Sequence, residues 1–217
     1  RFAADHQVRH YYAEAYPSAD WREGPKLYLS LRLQWNPRAD ANAILRDWYE
    51  PLYRRGYSID FAHPESDLTG YQLVLVPQLY SVSDRGAQRV IDAADTGATV
   101  VVGYFSGAVD ERDRVRAGGY PAPWTALLGL WVEEYRPLLP GESVTLADPV
   151  GGSVSATEWT EHVHLDGAEA VLSYVDGDIA GCPAVTRNLL DSGASAWYVS
   201  AGLEPDAMGA LLLRIAT

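Results

Sequence analysis

The chain alternates between two apolar rhythms, and the change from one to the other marks its elements. Residues 27–33, LYLSLRL, alternate apolar and polar with period two, the pattern of a strand with one wetter face. Asn36-Pro37 then supplies a cap residue and a first-turn proline, and Ala41, Ile44, Leu45, Trp48 and Leu52 recur at helical spacing. Pro51 is expected to kink or interrupt that helix and Gly56 to end it. YSIDF (57–61) and YQLVLVP (71–77) read as strands, the second apolar enough to be covered on both faces of a parallel sheet. Ser83 caps a further helix whose Ala87, Val90, Ile91 and Ala94 face the core, closed by Gly97, and ATVVVGY (98–104) is another buried strand. This order of strands and helices predicts an α/β fold with a doubly wound, mostly parallel sheet.

Past residue 120 the rhythm shortens. PWTALLGL (123–130) fits a short helix. WVEEYRPL, SVTLAD, SVSATEWTEHVHL, AVLSYVDG, PAVTRNLL and SAWYVSAG follow, separated by Gly, Pro, Asp or Ser as antiparallel strands with tight turns would be. Residues 205–215 close the pattern as a helix with Ala207, Leu211 and Leu212 apolar. The expectation is an α/β domain over 27–217 with a β-rich C-terminal extension, and a leading segment or linker over 1–26.

Composition narrows the function. The 217 residues are 47% hydrophobic, enough for a sizeable core, and the longest apolar runs are strand-sized, far short of the roughly 18 residues that span a bilayer. A net charge of −12 repels phosphate backbones and anionic headgroups, so neither nucleic acid nor a membrane is an expected partner. One cysteine forms no internal disulfide and no multi-cysteine metal site, which points to a cytoplasmic setting. Seven Trp and fourteen Tyr suit sugar-binding surfaces and protein interfaces alike.

The stretch VVVGYFSGAVDERDRVRAGGYPAP (100–123) raises the sharpest chemical question. Gly103-Tyr104-Phe105-Ser106-Gly107 has the glycine spacing of a nucleophile elbow, the strained strand-end turn that lifts a Ser or Cys above a sheet. Its central residue is Phe105, which is no nucleophile, so the turn reads as structural. Ser106 and Cys182 are the remaining nucleophile candidates; the first lacks His and Asp partners in order, and the second lies in a Gly-Cys-Pro turn with no helix N-terminus to lower its pKa. His162 and His164 flank Val163 on one face of a strand, with Glu158 and Glu161 nearby, and could ligate zinc, but no third ligand is indicated, and the pair reads as an exposed polar face. His63-Pro64-Glu65-Ser66-Asp67 reads as a polar turn, and Asp110-Glu111-Arg112-Asp113-Arg114 as a charged loop with local ion pairs. No phosphate-binding glycine motif occurs, and no cofactor or metal is expected.

Three blocks in order, RRGYSIDFAHPESDLTGYQLVLVPQLYSVSD, GATVVVGYFSGAVDERDRVRAGGYPAP and GCPAVTRNLLDSGASAWYVSAGLEP, resemble the middle domain of glycoside hydrolase family 42 β-galactosidases, over about residues 27–205. The resemblance implies a class I glutamine amidotransferase-like (flavodoxin-like) three-layer fold. It also implies a non-catalytic assembly role in a homotrimer of an enzyme that hydrolyses terminal β-D-galactosyl bonds with retention. The family's two catalytic glutamates, which must stand about 5 Å apart across the glycosidic bond, belong to a (β/α)8 barrel that this sequence does not contain, so neither maps onto a residue here. Partners implied are other subunits of the same protein and, through the barrel, a galactoside. Tyr104, Phe105, Ser106, Asp110, Arg114 and Tyr120 are then the candidates for a subunit contact or an active-site rim. A stand-alone amidotransferase-like or hydrolase-like enzyme and a carbohydrate-binding module are the alternatives.

Overall fold

The computed structural model describes residues 43–148 and 152–217. The strand expected at 27–33, the Asn36-Pro37 cap and the leading segment 1–26 lie outside these residues.

Helix α1 (Ala43–Trp48) is followed by α2 (Glu50–Arg54), with Pro51 in the first turn of the second. The interruption expected at that proline is therefore present. Strand β1 (Leu73–Val76) leads through residues 77–83 into α3 (Asp84–Asp95), and β2 (Thr99–Gly103) follows. Ser83 caps α3 as its sequence position suggests: its hydroxyl accepts from Gly86 N at 3.1 Å and donates to Glu65 Oε1 at 2.7 Å. A 3₁₀ turn (Ala122–Trp124) runs into α4 (Thr125–Leu128), and β3 (Leu130–Pro137), β4 (Val144–Ala147), β5 (Ser153–Ala156), β6 (Trp159–Leu165), β7 (Glu169–Tyr174), β8 (Pro183–Leu189) and β9 (Ser195–Val199) precede the closing helix α5 (Pro205–Ile215).

Seven strands form one sheet in the order β1-β2-β9-β8-β7-β4-β5, while β3 and β6 pair as a separate antiparallel ribbon. The ladders β1–β2 and β2–β9 are parallel, and the four from β9 to β5 are antiparallel. Among the described residues the sheet is thus mixed, not mostly parallel, and the late strands continue it instead of forming an extension. The reason is β9, which enters beside β2 with its apolar run Ala196–Val199 matched to Val100–Gly103. Turn-linked β8 and β7 then build outward from it.

Alternation along the central strands sends side chains into two cores, one per face. Val74, Val76, Val100, Val102, Ala196 and Tyr198 pack with Ala87, Val90, Ala93 and Ala94 of α3, with Trp124 and Leu128, and with Val132 and Val163 of the ribbon. Val101, Trp197 and Val199 point the other way, onto Trp48 and Leu52 of α1 and α2 and onto Met208, Leu211 and Leu212 of α5. Helices therefore cover both faces, as expected from the apolar strands. Close approach of α5 to α2 depends on Gly209, where a Cβ would meet Pro51 Cγ at 3.0 Å.

The strand expected at 57–61 does not form. Its apolar positions are used for packing without a ladder: Ile59 lies against the second core, Phe61 against Tyr49, and Tyr57 Oη–H donates to Ala216 O at 3.2 Å. Among the described residues no helix is long and apolar enough to cross a membrane.

Candidate functional site at the strand ends

The turn after β2 keeps the backbone of an elbow. Phe105 sits in the left-handed region at φ 61°, and Gly107 at φ 69°, so the chain folds sharply back from the end of the sheet. A bulky residue at positive φ is strained, and here the surroundings hold it. Phe105 N–H donates to Glu161 Oε1 at 3.3 Å, and its ring stacks on Tyr80 at 4.8 Å and meets Trp159 edge-on at 4.9 Å. Gly107 is required for a second reason: a Cβ there would lie 2.9 Å from Pro123 Cγ.

Ser106 is fully buried and committed to structure. Its hydroxyl accepts from Leu79 N at 2.9 Å and donates to Val76 O at 3.4 Å, which ties the turn to the end of β1. Cys182 is half-buried, and burial pushes its thiol pKa up, away from the reactive thiolate. Neither nucleophile candidate is thus activated.

Behind the turn lies an acid that the sequence placed only as a neighbour of His162 and His164. Glu161 is 1% exposed, on the inward face of β6 between Trp159 and Val163. Tyr198 Oη–H donates to its Oε2 at 2.6 Å, and Trp159 Nε1–H to its Oε1 at 2.9 Å. Tyr174 Oη accepts from Glu161 N at 3.4 Å and reaches Ser200 O at 3.3 Å. The Tyr120 hydroxyl is buried beside the carboxylate without a hydrogen bond of good geometry. Burial raises the Glu161 pKa to about 7, although the donors of Tyr198, Trp159 and Phe105 favour the anion. The same burial and the neighbouring carboxylate push the Tyr198 and Tyr120 hydroxyls well above their ordinary value.

Around this acid the aromatics form a connected layer. Tyr104 stacks on Trp159 at 5.6 Å, Trp159 on Tyr135 at 5.5 Å, and Tyr135 meets Phe105 at 6.1 Å and Tyr120 at 6.2 Å. Of the six residues singled out from sequence, Tyr104, Phe105 and Tyr120 converge on this layer, and Ser106 anchors it from behind. Asp110 and Arg114 do not join them. Asp110 organises its own loop, accepting from Arg112 N at 2.8 Å, Arg114 N at 3.0 Å and Arg114 Nε at 2.7 Å. These donors, the Arg114 side chain first, hold its carboxyl at about 2. The pair lines a cleft of about 410 Å³ with Asp84 and Arg116, which are themselves ion-paired at 2.6 Å.

The other sequence candidates resolve as follows. His63 to Asp67 is the polar turn expected: Ser66 N donates to His63 O at 2.8 Å, Glu65 holds the Ser83 cap, and Asp67 accepts from Thr69 N at 3.0 Å. His162 and His164 do share one face of β6, beside Glu133 of β3. Glu161 stood out in the sequence only as an acid near the histidine pair, because a lone acid in a Trp-Thr-Glu-His run carries no motif. The one available signal was its period-two phase with Trp159 and Val163.

Comparison with known proteins gives this arrangement a family. Residues 26–217 match the family described as the β-galactosidase trimerisation domain. A β-galactosidase of Arthrobacter sp. is 46% identical over 172 residues, 79% of this chain and 24% of that protein. One from Geobacillus kaustophilus is 37% identical over 172 residues, 79% of this chain and 25% of the relative. The crystal structure of the β-galactosidase from Bacillus circulans sp. alkalophilus superposes with a TM-score of 0.77 at 30% identity, covering 83% of this chain and 27% of that one. The chain spans about a quarter of the length of the relatives it matches. With the family match running from Lys26 through the elbow turn to Thr217, the chain belongs to the β-galactosidase trimerisation domain family.

Proposed function

We propose that this chain is the non-catalytic assembly domain of a cytoplasmic β-galactosidase, built on a class I glutamine amidotransferase-like scaffold whose elbow has lost its nucleophile. The observation that carries the reading is Phe105: the turn has an elbow's left-handed backbone and flanking glycines, with an aromatic ring where the reactive atom would be. Ser106, the adjacent hydroxyl, is used within the fold. Function then rests on the surface that the scaffold presents, not on the scaffold itself.

In this reading the strand-end layer of Tyr104, Phe105 and Tyr120 faces a neighbouring subunit of a homotrimer or the rim of an active site, and the Asp110–Arg114 loop flanks it. Hydrolysis of terminal β-D-galactosyl bonds is performed by paired glutamates on a barrel outside this chain. Neither nucleic acid nor membrane enters the assembly, and the acidic charge of −12 favours that restriction.

The test is turnover of a chromogenic β-galactoside by the purified 217-residue chain, expected at background. Activity that persists through stringent purification overturns the assignment. A fluorophosphonate and a maleimide applied to the folded chain probe the competing reading as an independent hydrolase; rapid, stoichiometric phosphonylation of Ser106 by the first, with loss of fluoride, would support that alternative.

A further inference from the structure

The β3–β6 ribbon carries a cluster unrelated to the strand-end layer, on its opposite face. Period-two alternation in β6 turns Trp159, Glu161 and Val163 inward and leaves His162 and His164 half-exposed on the outer side. The ladder pairs Trp131 with His164 and Val132 with Val163, then shifts register between Val132 and Glu134. Glu133 is the extra residue of that bulge, and bulges re-aim side chains. Its carboxylate turns to the imidazoles: Oε2 stands 2.6 Å from His164 Nε2 and 3.5 Å from His162 Nδ1. One ligand atom from each of the three residues falls within 4.8 Å of the others.

We propose that Glu133, His162 and His164 form a binding site for one divalent cation of the zinc class, through Glu133 Oε2, His162 Nδ1 and His164 Nε2, with water completing the sphere. Two imidazoles and one carboxylate are a donor set that suits zinc and its neighbours, whereas calcium and magnesium take oxygen ligands. Metal–ligand bonds of about 2.0–2.1 Å in a tetrahedron put donor atoms roughly 3.4 Å apart, which matches the His162–Glu133 separation. The shorter His164–Glu133 contact is the hydrogen bond that the cation replaces, and Glu133, 54% exposed, has room to swing outward by the difference.

Three structural features preorganise the set. The two histidines are one residue apart on a single strand, so the ladder fixes their spacing, and their rings already stack at 4.6 Å. Trp131 stacks on His164 at 4.2 Å and 13°, which limits rotation of that ring. The bulge aims the Glu133 carboxylate at both rings, so the third donor already faces the other two.

Isothermal titration of Zn²⁺ into the 217-residue chain tests the site, with Co²⁺ absorption as a second readout of four-coordinate geometry. One equivalent is expected to bind saturably. The combined His162→Ala, His164→Ala variant should lose more than about 10-fold in affinity, and Glu133→Gln should also weaken it, as removal of a direct ligand costs at least as much as loss of its supporting partner. The remaining histidines, His6, His10 and His63, and the thiol of Cys182 are the other soft donors of the chain. A His6→Ala, His10→Ala, His63→Ala variant, and separately Cys182→Ser, should bind as the wild type does. Binding that is absent, that survives loss of His162 and His164, or that disappears in the control variants overturns the proposal. Circular dichroism verifies folding. Should the alanine pair not fold, Glu133→Gln together with the wild-type Co²⁺ spectrum decides: an octahedral, weak-absorbing spectrum with unchanged affinity in Glu133→Gln refutes the site.

Discussion

Glu161 makes the stability of this domain fall with rising pH, in a window where most carboxylates have finished titrating. The sign follows from linkage. Burial raises the folded-state pKa to about 7 from an ordinary 4.5, so between those values the native state holds a proton that the unfolded chain has released. Stability from this group is complete below about pH 4.5 and is lost progressively as pH rises through 7. The slope is about 1.4 kcal/mol per pH unit, so the whole window is worth roughly 3 kcal/mol, a figure already net of the three donors that favour the anion. Glu161→Gln removes the titration while keeping the side chain's shape and one acceptor for Trp159 and Phe105. Urea unfolding of both proteins at half-unit steps from pH 4.5 to 8.5 gives a difference curve in which other groups, including the five histidines, cancel. Asp110 does not intrude, since its depressed pKa of about 2 places its own loss of stability on the acid side. The expected curve favours the wild type at pH 5 and Gln above pH 7, with a change of roughly 2–3 kcal/mol. A flat difference curve refutes the reasoning, because it means that Glu161 has the same proton affinity folded and unfolded.

Two substitutions probe the turn that carries the functional reading. Gly107→Ala combines left-handed backbone strain of about 1–2 kcal/mol with a Cβ 2.9 Å from Pro123 Cγ, and calorimetry should show Tm lowered by at least about 3 °C; a shift under about 1 °C would show that the turn relaxes freely. Ser106→Ala leaves Leu79 N–H without its acceptor and should cost about 1–2 kcal/mol in urea unfolding, an effect that would be missing if Ser106 were held for reactivity instead of structure.

The two-rhythm pattern made most of the fold readable. Apolar runs such as 98–104 could only be covered on both faces, Ser83 and Gly97 bracketed α3, and Pro51 divided α1 from α2, because each of these follows from local chemistry. The position of β9 was not readable. Its sequence, SAWYV, is as apolar and turn-bounded as that of β8, and nothing local tells that it pairs in parallel with β2, a strand some 95 residues earlier. That single long-range choice makes the sheet mixed. Residues 57–61 failed for the opposite reason: their alternation is genuine, but the apolar positions found partners in side-chain packing before any ladder did. At the candidate site, Phe105 told its story from sequence alone, since the glycines fix the turn and the ring excludes a nucleophile. Glu161 and Glu133 did not, because their partners Tyr198 and His164 lie 37 and 31 residues away in the chain.

The chemistry of the turn explains how an elbow-like backbone is held around a residue that is no nucleophile. An elbow is expensive backbone, with a side chain at positive φ that strain would expel without support. Here the support is the set of groups packed around Phe105. Phe105 N–H is spent on Glu161, the Phe105 ring is clamped between Tyr80 and Trp159, and Trp159 extends the stack to Tyr104 and Tyr135. The contacts to Glu161, Tyr80 and Trp159 each depend on the ring or the backbone of Phe105, so placing a reactive residue at position 105 would remove the Tyr80 and Trp159 contacts that hold the turn. The same layer ends in partly exposed rings, with Tyr135 50% exposed at its margin, and aromatic surface of that kind is the material from which subunit contacts are made. The contacts that hold Phe105 at positive φ and the partly exposed aromatic margin are therefore parts of one continuous layer at the strand end.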